Sequence, residues 1–318
     1  GAAAVVVEQL PAGLSVPALV VGDTRHALGQ IANLWRRSFD IPVIGVTGSN
    51  GKTTVKEMIA SILAAAFGED NYLSTRGNLN NEIGVPLTLF RLTSRHRAAV
   101  IEMGMNHPGE IARLAEIAEP TVGLVNNAQR EHQEFMASVA AVAEENGAVI
   151  KSLGAQACAV FPADDDYTSL WQGYAGSRRA LTFGLDDAPS VTCNWQPQAF
   201  GSRLSVTAQG QSFDIQLAAA GVHNVRNALA ACAAAFAIGI DADAIVRGLQ
   251  SFAPVAGRLQ KKQATNGALV IDDTYNANPD SVRAAIDVLA TAPAPRMLVL
   301  GDMGEVGSEG IAFHQEIG

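Results

Sequence analysis

Lys52, Thr53 and Thr54 stand where an apolar run passes through three glycines into helix-like text: "VIGVTGSNGKTTVKEMI", residues 43–59. A loop of this kind suits one chemistry. Glycines let successive backbone N–H groups turn inward around an anion, and the helix N-terminus adds its positive end. Lys52 would reach the β- and γ-phosphates of a nucleotide, and a threonine hydroxyl would hold Mg²⁺. The residues of the grip are then Gly48, Ser49, Asn50, Gly51, Lys52, Thr53 and Thr54. The strict pattern G-x-x-x-x-G-K-[ST] asks for glycine at 46, where this chain has Val46, with glycines at 45 and 48 instead. The loop is a variant. A turn that merely joins strand to helix is the alternative; strand, glycines, Lys-Thr-Thr and amphipathic helix in that order favour a bound nucleoside triphosphate.

Ligands of open α/β sheets collect at the carboxyl ends of strands. "AAVIEM" (98–103) delivers Glu102, which could carry Mg²⁺ with Thr53 or be an ordinary exposed glutamate. "TVGLVN" (121–126) leads into "NAQREH", where His132 is either a metal ligand or a hydrogen-bonded structural histidine. "ALVIDD" (268–273) ends in two carboxylates, Asp273 among them, before "TYNANP", although Asn and Asp also favour turns. "GVHNVRNALAACAAA" places His223, Asn224 and Asn227 at the start of an alanine-rich helix, where asparagine caps the helix or contacts a base. "GNLNNEIGVPLTL" crowds Asn78, Asn80, Asn81 and Glu82 into a loop, and spacing alone does not say what it binds.

The elements that must position these residues are legible from periodicity. Besides the strands just quoted, "PVIGVT" (42–47), "ACAVF" (157–161) and "RMLVLGD" (296–302) read as strands, with helical patterns between several of them. From Val55, the residues Met58, Ile59, Ile62 and Leu63 recur at one face of a helix. Apolar strands separated by helices predict a parallel sheet covered on both faces. The stretch 191–217 alternates and reads as a β-hairpin at the sheet edge. Residues 1–40 form a small separate element with a helix over "RHALGQIANLWRRSF", and a Pro/Gly break at 252–260 precedes a second strand–helix–strand series. That series has too few strands to stand alone, so the text reads as a piece of a longer protein.

Composition narrows the function classes. A formal net charge of -9 disfavours nonspecific nucleic-acid binding, so a phosphate must be held locally. No segment reaches the about 20 uninterrupted apolar residues of a membrane span. Three scattered cysteines, Cys158, Cys193 and Cys232, show no metal spacing and fit buried positions in a reducing cytoplasm.

Taken together, "GSNGKTT", "EMG", the histidine of "REHQEF", "HNVRN", "GR" at 257–258 and "DDTYNANP" resemble the Mur ligases, ATP-dependent amide-forming enzymes of peptidoglycan assembly. The resemblance runs from about residue 17 to the end. It implies a central P-loop ATPase domain with a parallel sheet over 41–256. It also implies a remnant of an N-terminal α/β domain for the UDP substrate over 1–40, and a truncated C-terminal Rossmann-like domain over 257–318. "TRGNLNNEIGVPLTL", "EMGMNHPGEI" and "DDTYNANPDS…LGDMGEVG" point within the family to addition of D-Ala-D-Ala to UDP-N-acetylmuramoyl-tripeptide through an acyl phosphate. A cytoplasmic monomer using ATP and Mg²⁺, serving cell wall synthesis, cell shape and cell division, is the corresponding expectation. The folylpolyglutamate synthetases share the loop and chemistry, and a non-catalytic ATP-binding protein is the reading from another class.

The resemblance also implies roles. Lys52 and the backbone of 48–53 would hold phosphates, and Thr53 and Glu102 the first Mg²⁺, with His132 on a second metal; Lys52, Glu102 and His132 form the catalytic set. Asn224 and Asn227 would face adenine, Arg258 the phosphates, and Asp273 the ribose. Asn78, Asn80 and Asn81 would lie along the UDP-sugar-peptide. One departure is visible. Several family members carry a carbamylated lysine on the helix after the histidine, and here the inward position of "SVAAVAEENGAVIKSL" is Asn146; Lys151 lies about 140° around the helix. Either Asn146 with water serves the second metal or the correspondence slips locally toward Lys151; no carbamylated lysine is expected at 146.

Overall fold

The computed structural model describes residues 2–130, 136–198, 200–304 and 310–318. Near the N-terminus a short parallel pair, β1 (Val5–Val7) and β2 (Ala18–Val20), precedes α1 (Thr24–Arg36). Asp23 starts α1 by accepting the amides of Arg25 and His26. Arg36, 6% exposed, then anchors it by donating to the carbonyl oxygen of Ala118, which brings the helix onto the larger sheet's helical layer.

That sheet has nine strands in the order β11-β10-β9-β8-β7-β6-β3-β5-β4. In chain order they are β3 (Val43–Thr47), β4 (Tyr72–Ser74), β5 (Ala98–Glu102), β6 (Val122–Val125), β7 (Cys158–Pro162), β8 (Arg179–Phe183), β9 (Val191–Gln198), β10 (Gly201–Ala208) and β11 (Gln211–Leu217). Pairing is parallel from β4 to β9 and antiparallel across β9, β10 and β11. β3, β5, β6 and β7 are buried along their whole length, which is why their sequences are uniformly apolar rather than alternating. The chain runs outward from β3 to β4, returns through β5, then crosses to β6 on the other side of β3. The carboxyl ends of β5, β3 and β6 therefore meet at the switch in strand order, where a crevice forms.

Helices cover both faces. One layer holds α2 (Lys52–Phe67), α8 (Val222–Ala237) and α9 (Ala242–Ser251), and the expected stripe of Val55, Met58, Ile59, Ile62 and Leu63 is completely buried in it. The opposite layer holds α1 with α3 (Gly84–Leu89), α4 (Glu110–Ala118), α5 (Val139–Asn146), α6 (Ala148–Lys151) and α7 (Thr168–Ala175). After residue 257 come an antiparallel pair, β12 (Gln260–Gln263) and β13 (Leu269–Asp272), then α10 (Pro279–Ala290) and α11 (Gly310–Ile317).

Two expectations need correction. The stretch 191–217 forms three strands rather than two, because β9 supplies the parallel contact to β8 before the hairpin of β10 and β11 closes the edge. "RMLVLGD" is not a strand: Met297 and Val299 are each 82% exposed, and no ladder partner reaches them among the described residues. Apolar, β-branched text becomes a strand only where another strand offers its hydrogen bonds.

The packing generates two tests. At the α2–α9 crossing a Cβ on Gly248 would lie 2.4 Å from Ile62 Cα and 2.7 Å from its nitrogen. Gly→Ala in an open helix is stabilising, but here it must push two backbones apart. We expect Gly248→Ala to lower unfolding free energy by about 1–3 kcal/mol; an unchanged or higher denaturant midpoint would refute the close packing. Beyond the end of β7, Asp164 accepts from the two terminal guanidinium nitrogens of Arg226 at 2.6 and 2.8 Å, tying β7 to α8. Burial alone would raise the Asp164 carboxyl, but Arg226 and the amides of Leu185 and Asp186 hold it below its ordinary value. Its stabilising contribution is therefore complete above the ordinary value of 3.8 and is lost as pH falls through the lower folded one. Asp164→Asn should cost about 1–3 kcal/mol at neutral pH, with the deficit shrinking in acid. Urea titrations from pH 7 to 3 read this, and a pH-independent deficit contradicts it.

Candidate active site

The loop from β3 into α2 enters the sheet crevice through Gly48, whose φ is +133°. A Cβ there would lie 2.9 Å from Asn126 Cβ and 3.1 Å from the Asn127 amide, so only glycine allows this approach. Gly51, at φ +80°, faces Asn227, and its imagined Cβ falls 2.5 Å from Asn227 Oδ1. The variant glycine spacing thus follows from two close contacts, one on each side of the turn.

Side-chain amides hold most of this loop. Gly48 donates its N–H to Asn146 Oδ1 at 2.9 Å, Ser49 to the Asn127 carbonyl at 3.2 Å, and Asn50 to Asn127 Oδ1 at 2.9 Å. The Asn50 carbonyl accepts from Asn126 and Asn127, while its side chain donates to Gln129. The amides of Gly51, Thr53 and Thr54 lie at the start of α2, whose first intrahelical acceptor is reached only by Val55. The backbone N–H groups that could meet a phosphate are therefore those of Gly51, Thr53 and Thr54, at the positive end of the helix. Lys52 Nζ folds back onto the carbonyls of Gly48 and Ser49 at 2.6 and 3.0 Å. Its cationic head already lies at the loop's mouth.

Glu102 sits at the end of β5, 2% exposed. Its Oε1 accepts from Thr53 Oγ1 at 3.1 Å and from Asn80 Nδ2 at 2.9 Å, and its buried Oε2 has no hydrogen-bond partner among the described residues. A buried carboxylate oxygen without a donor is costly unless a cation completes it. The donor set fits Mg²⁺: a carboxylate and a hydroxyl beside a phosphate loop, leaving the remaining positions for phosphate oxygens and water. No cage of three or more His, Cys, Asp or Glu forms among the described residues. His132 lies outside the described residues.

The remaining expected residues are placed as follows. Asn224 and Asn227 lie one turn apart on α8; Asn227 Nδ2 donates to Asn224 Oδ1 and Asn227 Oδ1 accepts from Asn126, so both amides are oriented toward the loop. Beside them, burial pushes His223 down to about 4 and keeps it neutral, consistent with its Nε2 meeting the Asn224 amide at 3.1 Å. Arg258 stacks over Tyr275, with its guanidinium carbon 4.2 Å from the ring centroid. Asp273 accepts the Leu259 amide, and burial raises its carboxyl. Asn78 and Asn80 border the same cleft of about 1170 Å³. Asn81 borders it too, but its side chain accepts the amides of Ile83 and Gly84. Asn146 is committed to Gly48, and Lys151 lies away from the loop with Nζ 3.9 Å from the Tyr174 ring.

Several contributors are given no role by the sequence, although Asn127 stands out at the end of its strand. Asn127 and Gln129 brace the loop, and Asn278 Nδ2 reaches Asn50 Oδ1 at 2.8 Å from beyond the cleft. Arg130 chelates Asp280 at the start of α10 and also pairs with Glu316. The available signal for the first two was position: they follow β6, the neighbour of β3 at the switch in strand order.

Comparison with known proteins finds relatives along the chain. The Mur ligase middle domain matches residues 46–235, and the Mur ligase, glutamate ligase domain matches 257–318. A UDP-N-acetylmuramoyl-tripeptide–D-alanyl-D-alanine ligase of Haemophilus influenzae is 42% identical over all of this chain and 69% of its own. The crystal structure of MurF from Acinetobacter baumannii superposes with a TM-score of 0.93 at 36% identity, covering 98% of this chain and 68% of that one. The MurF ligase of Thermotoga maritima, solved in complex with ADP, gives 0.89 at 28% identity over 100% of this chain and 72% of that one. With the motifs, the sheet order and the loop all in agreement, the chain belongs to the Mur ligase family.

Proposed function

We propose that this protein is an ATP-dependent amide ligase that adds D-Ala-D-Ala to UDP-N-acetylmuramoyl-tripeptide in peptidoglycan precursor synthesis. The observation that carries the reading is Glu102, a buried carboxylate with one oxygen unpartnered among the described residues, hydrogen-bonded to Thr53 of the phosphate loop. The 42% identity to a ligase of that name supports the choice of substrates. A cytoplasmic monomer dependent on Mg²⁺ belongs to the same reading, and no helix among the described residues is long and apolar enough to cross a membrane.

The chemistry follows from what a carboxylate lacks: it is a poor electrophile with no leaving group. Attack of its oxygen on the γ-phosphorus of ATP breaks the bond to the β-phosphate oxygen, releases ADP and leaves an acyl phosphate. The free amine of the dipeptide then attacks the acyl carbon, phosphate departs and the amine loses its proton. Gly51, Thr53 and Thr54 orient the triphosphate through main-chain N–H groups, and Lys52 turns from the carbonyls of Gly48 and Ser49 to the transferring group. Glu102 and Thr53 would hold a divalent cation, which would supply charge neutralisation for the transferring phosphoryl group. Asn80 keeps the Glu102 carboxylate turned toward Thr53. Arg130 and Asn278 bring the part of the chain after residue 257 against the cleft, where it shields the acyl phosphate from water.

Incubating the protein with ATP, Mg²⁺, the UDP-tripeptide and D-Ala-D-Ala should give the amide, ADP and phosphate in equal amounts. Product only with a folate and glutamate would reassign it to folylpolyglutamate synthesis; ATP binding with no product would leave a nucleotide-binding protein. Lys52→Ala should lower kcat/KM by about 10²–10³-fold with little change in melting temperature. Glu102→Gln should raise the Mg²⁺ concentration for half-maximal rate by about 10–100-fold, and an unchanged Mg²⁺ dependence would remove Glu102 from the metal site.

A further inference from the structure

We infer that Glu145 and Asn146, the last two residues of α5, are positioning residues that set the spacing between the phosphate loop and the loop following Glu102. Asn146 is 1% exposed and holds the entry of the phosphate loop twice. Its Oδ1 accepts the Gly48 N–H at 2.9 Å, and its main-chain oxygen accepts Thr47 Oγ1 at 3.1 Å. Glu145, 8% exposed, holds the other loop twice. Its Oε2 accepts the Gly109 N–H and its Oε1 the Ile111 N–H, both at 2.8 Å, at the start of α4. The chain between Glu102 and Gly109 lines the cleft, so the place where it re-enters regular structure limits where Glu102 and its loop can lie.

Adjacent residues on a helix point about 100° apart, which lets one helix end address two loops at once. Each side chain carries the acceptor its loop requires. A carboxylate suits the N-terminus of α4, where the helix dipole favours negative charge. At Gly48 a neutral amide oxygen supplies the acceptor without setting a negative charge beside a loop built for a polyanion. The helix end is itself immobilised: Trp171 Nε1 donates to the Ala143 carbonyl at 3.0 Å. Gly147 lies against the Trp171 and Tyr174 rings, where a Cβ would come within 2.9 Å of Trp171 Cδ1. Asn146, which takes the Gly48 amide, shares the division of labour in the loop with Asn127, which takes those of Ser49 and Asn50. With the amides of 48–50 taken by protein acceptors, nucleotide recognition shifts to 51–54.

The inference rests on reading 48–54 as a phosphate loop and is independent of the acid the enzyme activates. Amide hydrogen exchange tests it without substrate. Asn146→Ala should accelerate exchange at Gly48 by about tenfold or more while leaving Ile111 protected, and Glu145→Ala should do the reverse. In binding titrations Asn146→Ala should weaken ATP by about tenfold and Glu145→Ala by less than about twofold. Asn146→Asp keeps an acceptor of the same shape, so Gly48 should remain protected while the added charge weakens ATP; this variant decides the matter if the alanine variant does not fold. Equal loosening of both loops in either single variant, or fast exchange at Gly48 in Asn146→Asp, would overturn the assignment. Separate effects on the two loops in a protein that binds no ATP would preserve it and remove the proposed function instead.

Discussion

Backbone that must offer N–H groups to a polyanion cannot also spend its polar groups on a helix or a sheet ladder. Those facing away from the ligand still need partners, because a buried, unpaired amide or carbonyl is costly. The turn between β3 and α2 meets this constraint with borrowed side chains, Asn126 and Asn127 from just after β6 and Asn146 from α5, while Gln129 holds the Asn50 side chain and Asn227 from α8 orients Asn126. Neutral amides suit the task, since each supplies donor and acceptor without a charge that would compete with phosphate. Much of the architecture around the turn can be understood as the means of delivering these amides.

The nine-stranded sheet does so through its order. Because β3 lies between β5 and β6, the carboxylate of Glu102 arrives on one side of the turn and the asparagines of β6 on the other. Complete burial of these strands makes their register firm, since a slip by one residue would reverse every side chain. On one face α2 is wedged against α9 so closely that only glycine fits at 248. On the other, α5 ends against Trp171, which fixes where Glu145 and Asn146 point. Core packing and site geometry are here the same set of contacts.

The parts of this organisation that were legible in advance are those governed by local rules. Val55, Met58, Ile59, Ile62 and Leu63 recur with helical period and are all buried, and the apolar runs at 42–47, 98–103, 121–126 and 157–161 became parallel central strands, whereas that at 268–273 pairs antiparallel in a separate two-stranded sheet. "RMLVLGD" shares their composition but lies exposed, because composition does not supply a neighbouring strand. Asn81 illustrates the same limit at the site. Its type and crowding matched those of Asn80, yet Asn80 turns to Glu102 whereas Asn81 accepts the Ile83 and Gly84 amides. Equal residues in one loop diverge because backbone direction, which spacing does not encode, decides what each can reach.

By itself the sequence determined that a phosphate loop follows a buried strand, that carboxylates and asparagines terminate other strands, and which family these motifs resemble. These are properties of neighbours along the chain: glycine freedom, helical and strand periodicity, and the placement of Lys52 and Thr53 at a helix start. Only the tertiary structure decided that Gly48 is held by Asn146, that Glu102 keeps one oxygen unpartnered among the described residues, and that Asn278 reaches Asn50 from residues 228 positions away. Such contacts depend on distances and directions between segments far apart in the chain, and those arise when apolar surfaces pack and strands choose their neighbours.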